Sequence, residues 1–585
     1  MSNKITNILA ASILFILFWT ALLSMANDSL TFDELAHIPA GYSYLSQQDY
    51  RVNPEHPPLI KDLSAVPLLF LNLNFPDNSQ NWLQEASAPA WWVQFDLGTE
   101  LIYQSGNDPQ KIIFWARLPM ILLLVFLGWF IFKWARKLGG NWAGIGALAL
   151  FSFCPNLIAH GRLVTTDLGA ALGAIIATYF WLKFLKNPSW LNVLFAGIFF
   201  GLAMLIKFSL VLLIPFFGVL AIIYPLLSNK NRIINLKNYL IKAVLAGIIG
   251  TVMIVYPVYC LHTLNYPADQ QLRDTAADLA PNQIIPLKNL VIWMSDKPII
   301  RPLGQFARGL LMATQRTAFG NTTYFMGKIS ADAWWYYFPV IYFLKTPLAF
   351  HIILWLVLLY LVFSFKKWRQ KPKELIKNNF TIFALLLFLF IYWLTAIAGN
   401  LNIGIRHLMP TIPFVYLLAV LGLKKVLNLS QSKKIWQLMI GVLFIWYIVS
   451  SLSAFPYYLP YYNEVAGKTE NGYLWAVDSN YDWGQDFYSL LAFIEKNDIQ
   501  KIHLDYFGGE NPEYWLKDKY IKLNPKEIII GQEPKGWIAV SLNQFMGGVA
   551  KPAKNFDQQV DYYAWLKDET PIARAGYSIL IYNLK

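Results

Sequence analysis

Runs of about 20 apolar residues, separated by short polar stretches, fill most of the chain, and that is the length an α-helix needs to cross a bilayer core. They fall at about 6–26, 112–132, 141–160, 166–183, 190–206, 208–227, 239–259, 338–363, 379–398, 408–423 and 435–453, roughly eleven crossings. Two longer stretches intervene at about 27–111 and 260–337. Beyond residue 453 the pattern changes. Lys501–Phe507, Glu527–Ile530, Trp537–Leu542 and Ser578–Asn583 read as strands and Phe487–Lys496 as a helix. The pattern predicts a polytopic α-helical membrane protein over residues 1–453, followed by a C-terminal exoplasmic α/β domain over 454–585. The run from Ile8 to Met25 is long for the apolar part of a cleaved signal, so it reads as an uncleaved first span.

Composition agrees: 56% hydrophobic and only 14% charged residues exclude an ordinary soluble protein. The net charge of +13 does not imply nucleic acid, because the cations sit in short loops between apolar runs. These are Lys133, Arg136 and Lys137, then Lys183 and Lys186, then Lys230, Arg232 and Lys237. Lys366, Lys367, Arg369, Lys371, Lys373 and Lys377 follow, and finally Lys424, Lys425, Lys433 and Lys434. Positive loops mark the cytoplasmic side, which places the N-terminus inside and the two long loops and the tail outside. After residue 453 there are 13 Lys and Arg against 17 Asp and Glu, so the outer tail is mildly acidic. Cys154 and Cys260 offer neither a disulfide framework nor a metal spacing.

Chemistry is therefore sought on the outer face. Directly after the first span, Thr31-Phe32-Asp33-Glu34-Leu35-Ala36-His37 puts two carboxylates and an imidazole at the membrane surface. A helix start, with Thr31 capping and Glu34 reciprocating, accounts for part of this. The chemical reading makes Asp33 a general base for an acceptor hydroxyl, with Glu34 beside it and a low-dielectric wall raising the Asp33 pKa. In Pro54-Glu55-His56-Pro57-Pro58, the prolines fix Glu55 and His56 in extended backbone, where they could bind a divalent ion or simply shape a turn. Arg162 and Asp167 flank a very short outer loop and either pair with each other or meet a substrate. Arg406 and His407 stand at an outer helix mouth and Lys345 lies inside a span, positions that suit an anion such as a lipid phosphate. Transfer from a phosphate leaving group needs cations or a metal to take the departing charge and one base for the incoming hydroxyl.

In these motifs the chain resembles the C-type membrane glycosyltransferases, in particular the branch of protein O-mannosyltransferases and lipid A aminoarabinose transferases. The resemblance rests on Asp33-Glu34 after the first span, Pro54-Glu55-His56-Pro57-Pro58-Leu59, Arg162 through Asp167, and Gly201-Leu202-Ala203 through Lys207. It covers roughly residues 1–425, and its specificity lies in motif order and topology together. Trp334 through Pro347, Gly404-Ile405-Arg406-His407 and Asp478 through Asp486 are similar to an uncharacterised prokaryotic subgroup. The resemblance implies a polyprenyl-phosphate sugar donor, inversion at the anomeric carbon, Asp33 as base, and Glu55 and Asp167 facing the donor phosphate or a metal. It also implies residence in a prokaryotic plasma membrane. Arg162, Asp167, Lys207, Lys345, Arg406 and His407 are the donor-side candidates, and Glu55 with His56 the metal candidates. His56 stands where the aminoarabinose transferases carry a lysine, and the sugar-binding-like module of eukaryotic O-mannosyltransferases is missing. In the tail, the acidic and aromatic run from Trp475 to Trp483 has the composition of a sugar site, with Asp482 and Trp483 as acceptor-binding candidates. Transfer of a whole oligosaccharide and a polytopic transporter or lipid-handling protein are the competing functions. Against the transporter, the ionisable residues gather at one face and the two halves do not match.

Overall fold

A computed structural model describes residues 1–83, 90–227, 232–365, 372–430, 432–528, 533–553 and 555–585. Lys230, Lys366, Lys367, Arg369 and Lys371, and the end of the expected strand Glu527–Ile530, lie outside the described residues.

The periodicity of the apolar runs becomes helix wherever no proline intervenes. Among the described residues, eight helical stretches are long and apolar enough to cross a membrane: Asn3–Met25, Pro109–Gly139, Thr166–Lys186, Phe208–Leu226, Ile233–His262, Phe380–Ala398, Ile405–Asn428 and Lys433–Leu452. Two further spans are broken. Asn141–Ser152 meets Pro155–Gly161 at 62°, and Tyr337–Lys345 meets Leu348–Tyr360 at 111°. Each break precedes a proline, which cannot donate its backbone N–H and forces the residue before it out of helical geometry. Cys154 and Thr346 are accordingly extended, with ψ of 113° and 136°. The span expected at 338–363 is thus a sharply folded helix pair. Counting each pair as one span gives up to ten crossings among the described residues, against the roughly eleven expected. The difference is Trp190–Met204, whose 15 residues rise only about 22 Å.

Small residues let these helices touch. A Cβ on Gly201 would lie 2.5 Å from the carbonyl oxygen of Gly250, and one on Gly197 would lie 2.7 Å from that of Ala246. Backbones that approach so closely exchange dispersion contacts, which drive association where lipid removes the hydrophobic difference.

Eight strands occur among the described residues: β1 Thr323–Phe325, β2 Lys328–Ser330, β3 Ile502–Asp505, β4 Tyr520–Lys522, β5 Gly536–Ser541, β6 Lys551–Pro552, β7 Ala573–Ala575 and β8 Ile579–Leu584. The last part of the chain carries a five-stranded mixed sheet, order β4-β3-β5-β8-β7, with β3 parallel to β4 and β5, and β8 antiparallel to β5 and β7. Side chains alternate across it, as the period of two requires. Leu504, Ala539, Ile579 and Ile581 pack on Phe487, Leu490 and Ile494 of the helix Phe487–Lys496, while Ile538, Val540, Leu580 and Tyr582 face a second cluster with Leu542 and Tyr563. A smaller sheet, β1-β2-β6, joins the loop around residue 325 to the tail.

One set of contacts positions the site. The segment after the first helix runs along the tail: Ser29 N–H donates to the Gln485 carbonyl at 3.0 Å and Phe32 N–H to that of Trp483 at 3.1 Å. Leu30 N–H donates to Glu510 Oε1 at 2.7 Å, and Gly509 N–H returns a bond to the Leu30 carbonyl at 3.0 Å. Asp33 follows immediately.

Candidate active site

Asp33, Asp167, Lys207 and Arg406, four ionisable residues drawn from four distant parts of the chain, meet in one cluster. Arg406 Nη1 donates to Asp33 Oδ2 at 2.5 Å and lies 3.8 Å from Asp167 Oδ2. Lys207 Nζ donates to the other Asp167 oxygen at 2.5 Å. Asp167 is 1% exposed and Asp33 22%, so Asp33 is the carboxylate of this cluster that a substrate can reach. Asp33, Lys207 and Arg406 line a cavity of about 320 Å³, with Asp167 buried against Lys207 and Arg406. Across it stand Glu55 and Arg316, paired at 3.1 Å, with the Arg316 guanidinium 4.5 Å from the Trp91 ring. His37, His56 and His407 line it too, with Phe32, Phe95 and Phe208 as apolar wall.

Local sequence explains these placements. Lys207 sits in the three-residue gap between the helix Trp190–Met204 and the turn Phe208–Leu212, so its charge emerges where the spans end. Pro54 to His56 is held from beneath by Lys61, whose buried Nζ donates to Tyr44 Oη at 2.7 Å, Asn53 Oδ1 at 2.9 Å and the His56 carbonyl at 2.8 Å. The helix Glu34–Ser46 carries Asp33 at its start and His37 one turn later. His37 Nδ1 lies 2.9 Å from the Val164 carbonyl, which places the proton of the neutral ring on Nδ1 and leaves Nε2 as an acceptor. Burial holds His37 below its ordinary value, partly offset by Asp33, and burial with the cation-rich wall pushes His56 well below its own.

Burial would raise the Asp33 carboxyl, but the Arg406 guanidinium, helped by His37 and Arg316, outweighs it and holds the group below the usual carboxylate range. The expected upward shift is corrected. Glu55 goes the other way, since burial exceeds the pull of Arg316 and its carboxyl is raised.

Several sequence candidates lie elsewhere. Glu34 is fully buried and receives Arg117 Nε at 2.8 Å, Arg117 Nη2 at 2.6 Å, Val164 N–H at 2.9 Å and Thr31 N–H at 3.0 Å. It does not line the cavity. The reciprocal-cap reading of Thr31 and Glu34 accounts for it in part, and Arg117, which also binds the carbonyls of Asp28 and Ser29, accounts for the rest. Arg162 pairs with Asp28 at 2.7 Å and not with Asp167, whose partner is Lys207. Lys345 is buried with Nζ on the carbonyls of Leu459 (2.8 Å) and Asn480 (2.5 Å), away from the cavity. Asp482 is fully buried and accepts the Asn543 N–H at 2.7 Å, and burial pushes its carboxyl up to about 8. Trp483 is 1% exposed, so neither residue is placed to read an acceptor.

Arg316, Trp91 and Lys61 were not anticipated. Both Arg316 and Lys61 are cations in stretches expected on the outer side, against the charge bias, but the partners of Lys61, carbonyls and a tyrosine, are encoded by no spacing.

The residues present do not fit a resident metal. Among the described residues no three His, Cys, Asp or Glu side chains converge, and Glu55 is paired with Arg316. Cations occupy the positions around the carboxylates that a metal would take.

Residues 109–259 match the sequence model of the family described as dolichyl-phosphate-mannose-protein mannosyltransferase. That segment contains Asp167 and Lys207 but neither Asp33 nor Arg406. No curated protein gives a significant sequence match. Among solved structures, the S. cerevisiae protein O-mannosyltransferase Pmt1-Pmt2 complex bound to the sugar donor is similar at a TM-score of 0.56 and 11% identity, over 78% of this chain and 90% of that one. ArnT from Cupriavidus metallidurans bound to undecaprenyl phosphate aligns over 99% of this chain and 98% of that one, at 11% identity and a TM-score of 0.46. The resemblance read from the motifs is borne out: the chain has the fold of the C-type membrane glycosyltransferases, and residues 109–259 are similar to their protein O-mannosyltransferase branch.

Proposed function

We propose that the chain transfers a sugar from a polyprenyl-phosphate-linked donor to a hydroxyl acceptor on a protein, lipid or glycan at the exoplasmic face of a prokaryotic plasma membrane. The N-terminus is cytoplasmic, and residues 454–585 form an exoplasmic domain over the outer mouth of the catalytic part, 1–453. The observation that carries this reading is Arg406, which lines the cavity 2.5 Å from Asp33 and 3.8 Å from the buried Asp167.

In the reaction, the bond between the anomeric carbon and the phosphate oxygen breaks as one to the acceptor oxygen forms. The hydroxyl proton goes to Asp33, and the polyprenyl phosphate leaves with one more negative charge. Arg406 and Lys207 take that charge in a site screened from water, where preorganised donors are worth most. A single displacement with base and phosphate on opposite sides of the sugar inverts the anomeric carbon. The Asp33–Arg406 pair gives the step an order: a phosphate that engages Arg406 draws it from Asp33, whose carboxylate then becomes a stronger base.

Arg406→Ala tests this. Charge-assisted hydrogen bonds of this kind contribute about tenfold to a hundredfold in binding, so undecaprenyl phosphate should bind that much more weakly in a nanodisc titration, and transfer should fall at least as far. Unchanged binding would remove the phosphate from this wall of the cavity.

A further inference from the structure

Both halves of the Asp33–Arg406 pair are gripped by one short turn of the tail. The Trp483 carbonyl accepts the N–H of Phe32, the residue before Asp33, at 3.1 Å. The Trp483 ring lies under the Arg406 guanidinium, 4.3 Å from Cζ to the ring centroid. Asn480 Oδ1 accepts the N–H of Ile405, next to Arg406, at 2.9 Å, and Lys345 anchors Asn480 from below. A Cβ on Gly404 would stand 2.4 Å from Ser479 Oγ, so the tail's side chains press on this turn where only glycine leaves room.

The guanidinium needs such a support. Arg406 Nε has no hydrogen-bond partner among the described residues, and the carboxylate hydrogen-bonded to the group, Asp33, is held through Nη1. Hydrogen bonds therefore fix one edge of the group, and the indole face sets the plane in which the rest lies. An aromatic face under a desolvated guanidinium attracts it and removes rotamers that would point it elsewhere.

We propose that Trp483 is a positioning residue for the transfer reaction, its ring holding Arg406 between Asp33 and Asp167 so that the guanidinium faces the donor phosphate. This role rests on the donor reading given above. It also gives the tail a function: residues far from the membrane spans in sequence complete the donor site.

The test is a double-mutant cycle on the full chain in nanodiscs, with undecaprenyl phosphate as probe and thermal unfolding of each variant as the check on folding. Trp483→Leu should bind the probe about tenfold more weakly, while Trp483→Phe, which keeps a ring, should stay within about threefold of wild type. Added to Arg406→Ala, Trp483→Leu should cost nothing further, because a residue that acts through Arg406 has no effect without it. Trp483→Met, unbranched and likewise without a ring, serves the comparison if the leucine variant fails to fold. Normal binding by the leucine or methionine variant, or a loss that adds in full to that of Arg406→Ala, would overturn the role and leave the donor reading standing. Failure of the wild type itself to bind the probe would overturn both.

Discussion

Asp33→Asn is expected to lower the rate of transfer by about 10² to 10⁴, the range that a positioned general base supplies. The amide keeps the shape of the carboxylate but cannot accept the hydroxyl proton. Arg406 retains Asp167 as an anionic neighbour, so the site should keep its form. Loss of one negative charge beside Arg406 also makes the cavity more positive, so the apparent affinity for the anionic donor should hold or improve. The signature is a fall in kcat without a rise in KM, measured with a radiolabelled lipid donor. A variant that keeps most of its rate would show that another group, with His37 the nearest candidate, takes the proton.

Arg117→Met should unfold the region around Asp33. Arg117 and Glu34 are 1% and 0% exposed, and the arginine is the only cation paired with that carboxylate among the described residues. Removing one partner of a buried pair leaves an uncompensated charge, at a cost of about 3–5 kcal/mol. The Asp28 and Ser29 carbonyls lose their donor at the same time. The loop that delivers Asp33 therefore loses its anchor, and transfer should go with it. The double variant Arg117→Met with Glu34→Gln should recover much of the thermal stability, since it removes the stranded charge. A single variant melting with the wild type would show that the pair contributes little. Adjacent carboxylates are thus assigned opposite duties: Asp33 reaches the cavity, and Glu34 holds the loop.

Much of this site could be read from the residues alone, for a physical reason. Ionisable side chains next to apolar spans are costly without a partner, so Asp33, Glu55, Asp167 and Arg406 stood out by position; Asp33, Glu55 and Arg406 line one cavity, and Asp167 is buried 3.8 Å from Arg406. Their pairing could not be read. Arg162 lies five residues from Asp167, yet it bonds Asp28, because the short turn between them points the arginine toward the segment after the first helix and the aspartate toward Lys207. Trp483 looked like a sugar platform because composition cannot tell an exposed ring from one buried under a guanidinium. The broken spans were legible in principle, since Pro155 and Pro347 mark both bends, but apolar content alone runs through them. In the tail, Phe487–Lys496 and the long strands followed their periodicity, whereas β4 and β7, three residues each, are too short to show one.

The central claim is that a lipid phosphate is held by Arg406 and Lys207 with Asp33 facing the sugar it carries. An experimental structure with undecaprenyl phosphate bound tests it most directly. Phosphate density within hydrogen-bond reach of Arg406 and Lys207, about 3 Å, with Arg406 drawn away from Asp33, is the predicted result. Density in a different groove, with the Asp33–Arg406 pair intact, would contradict the account.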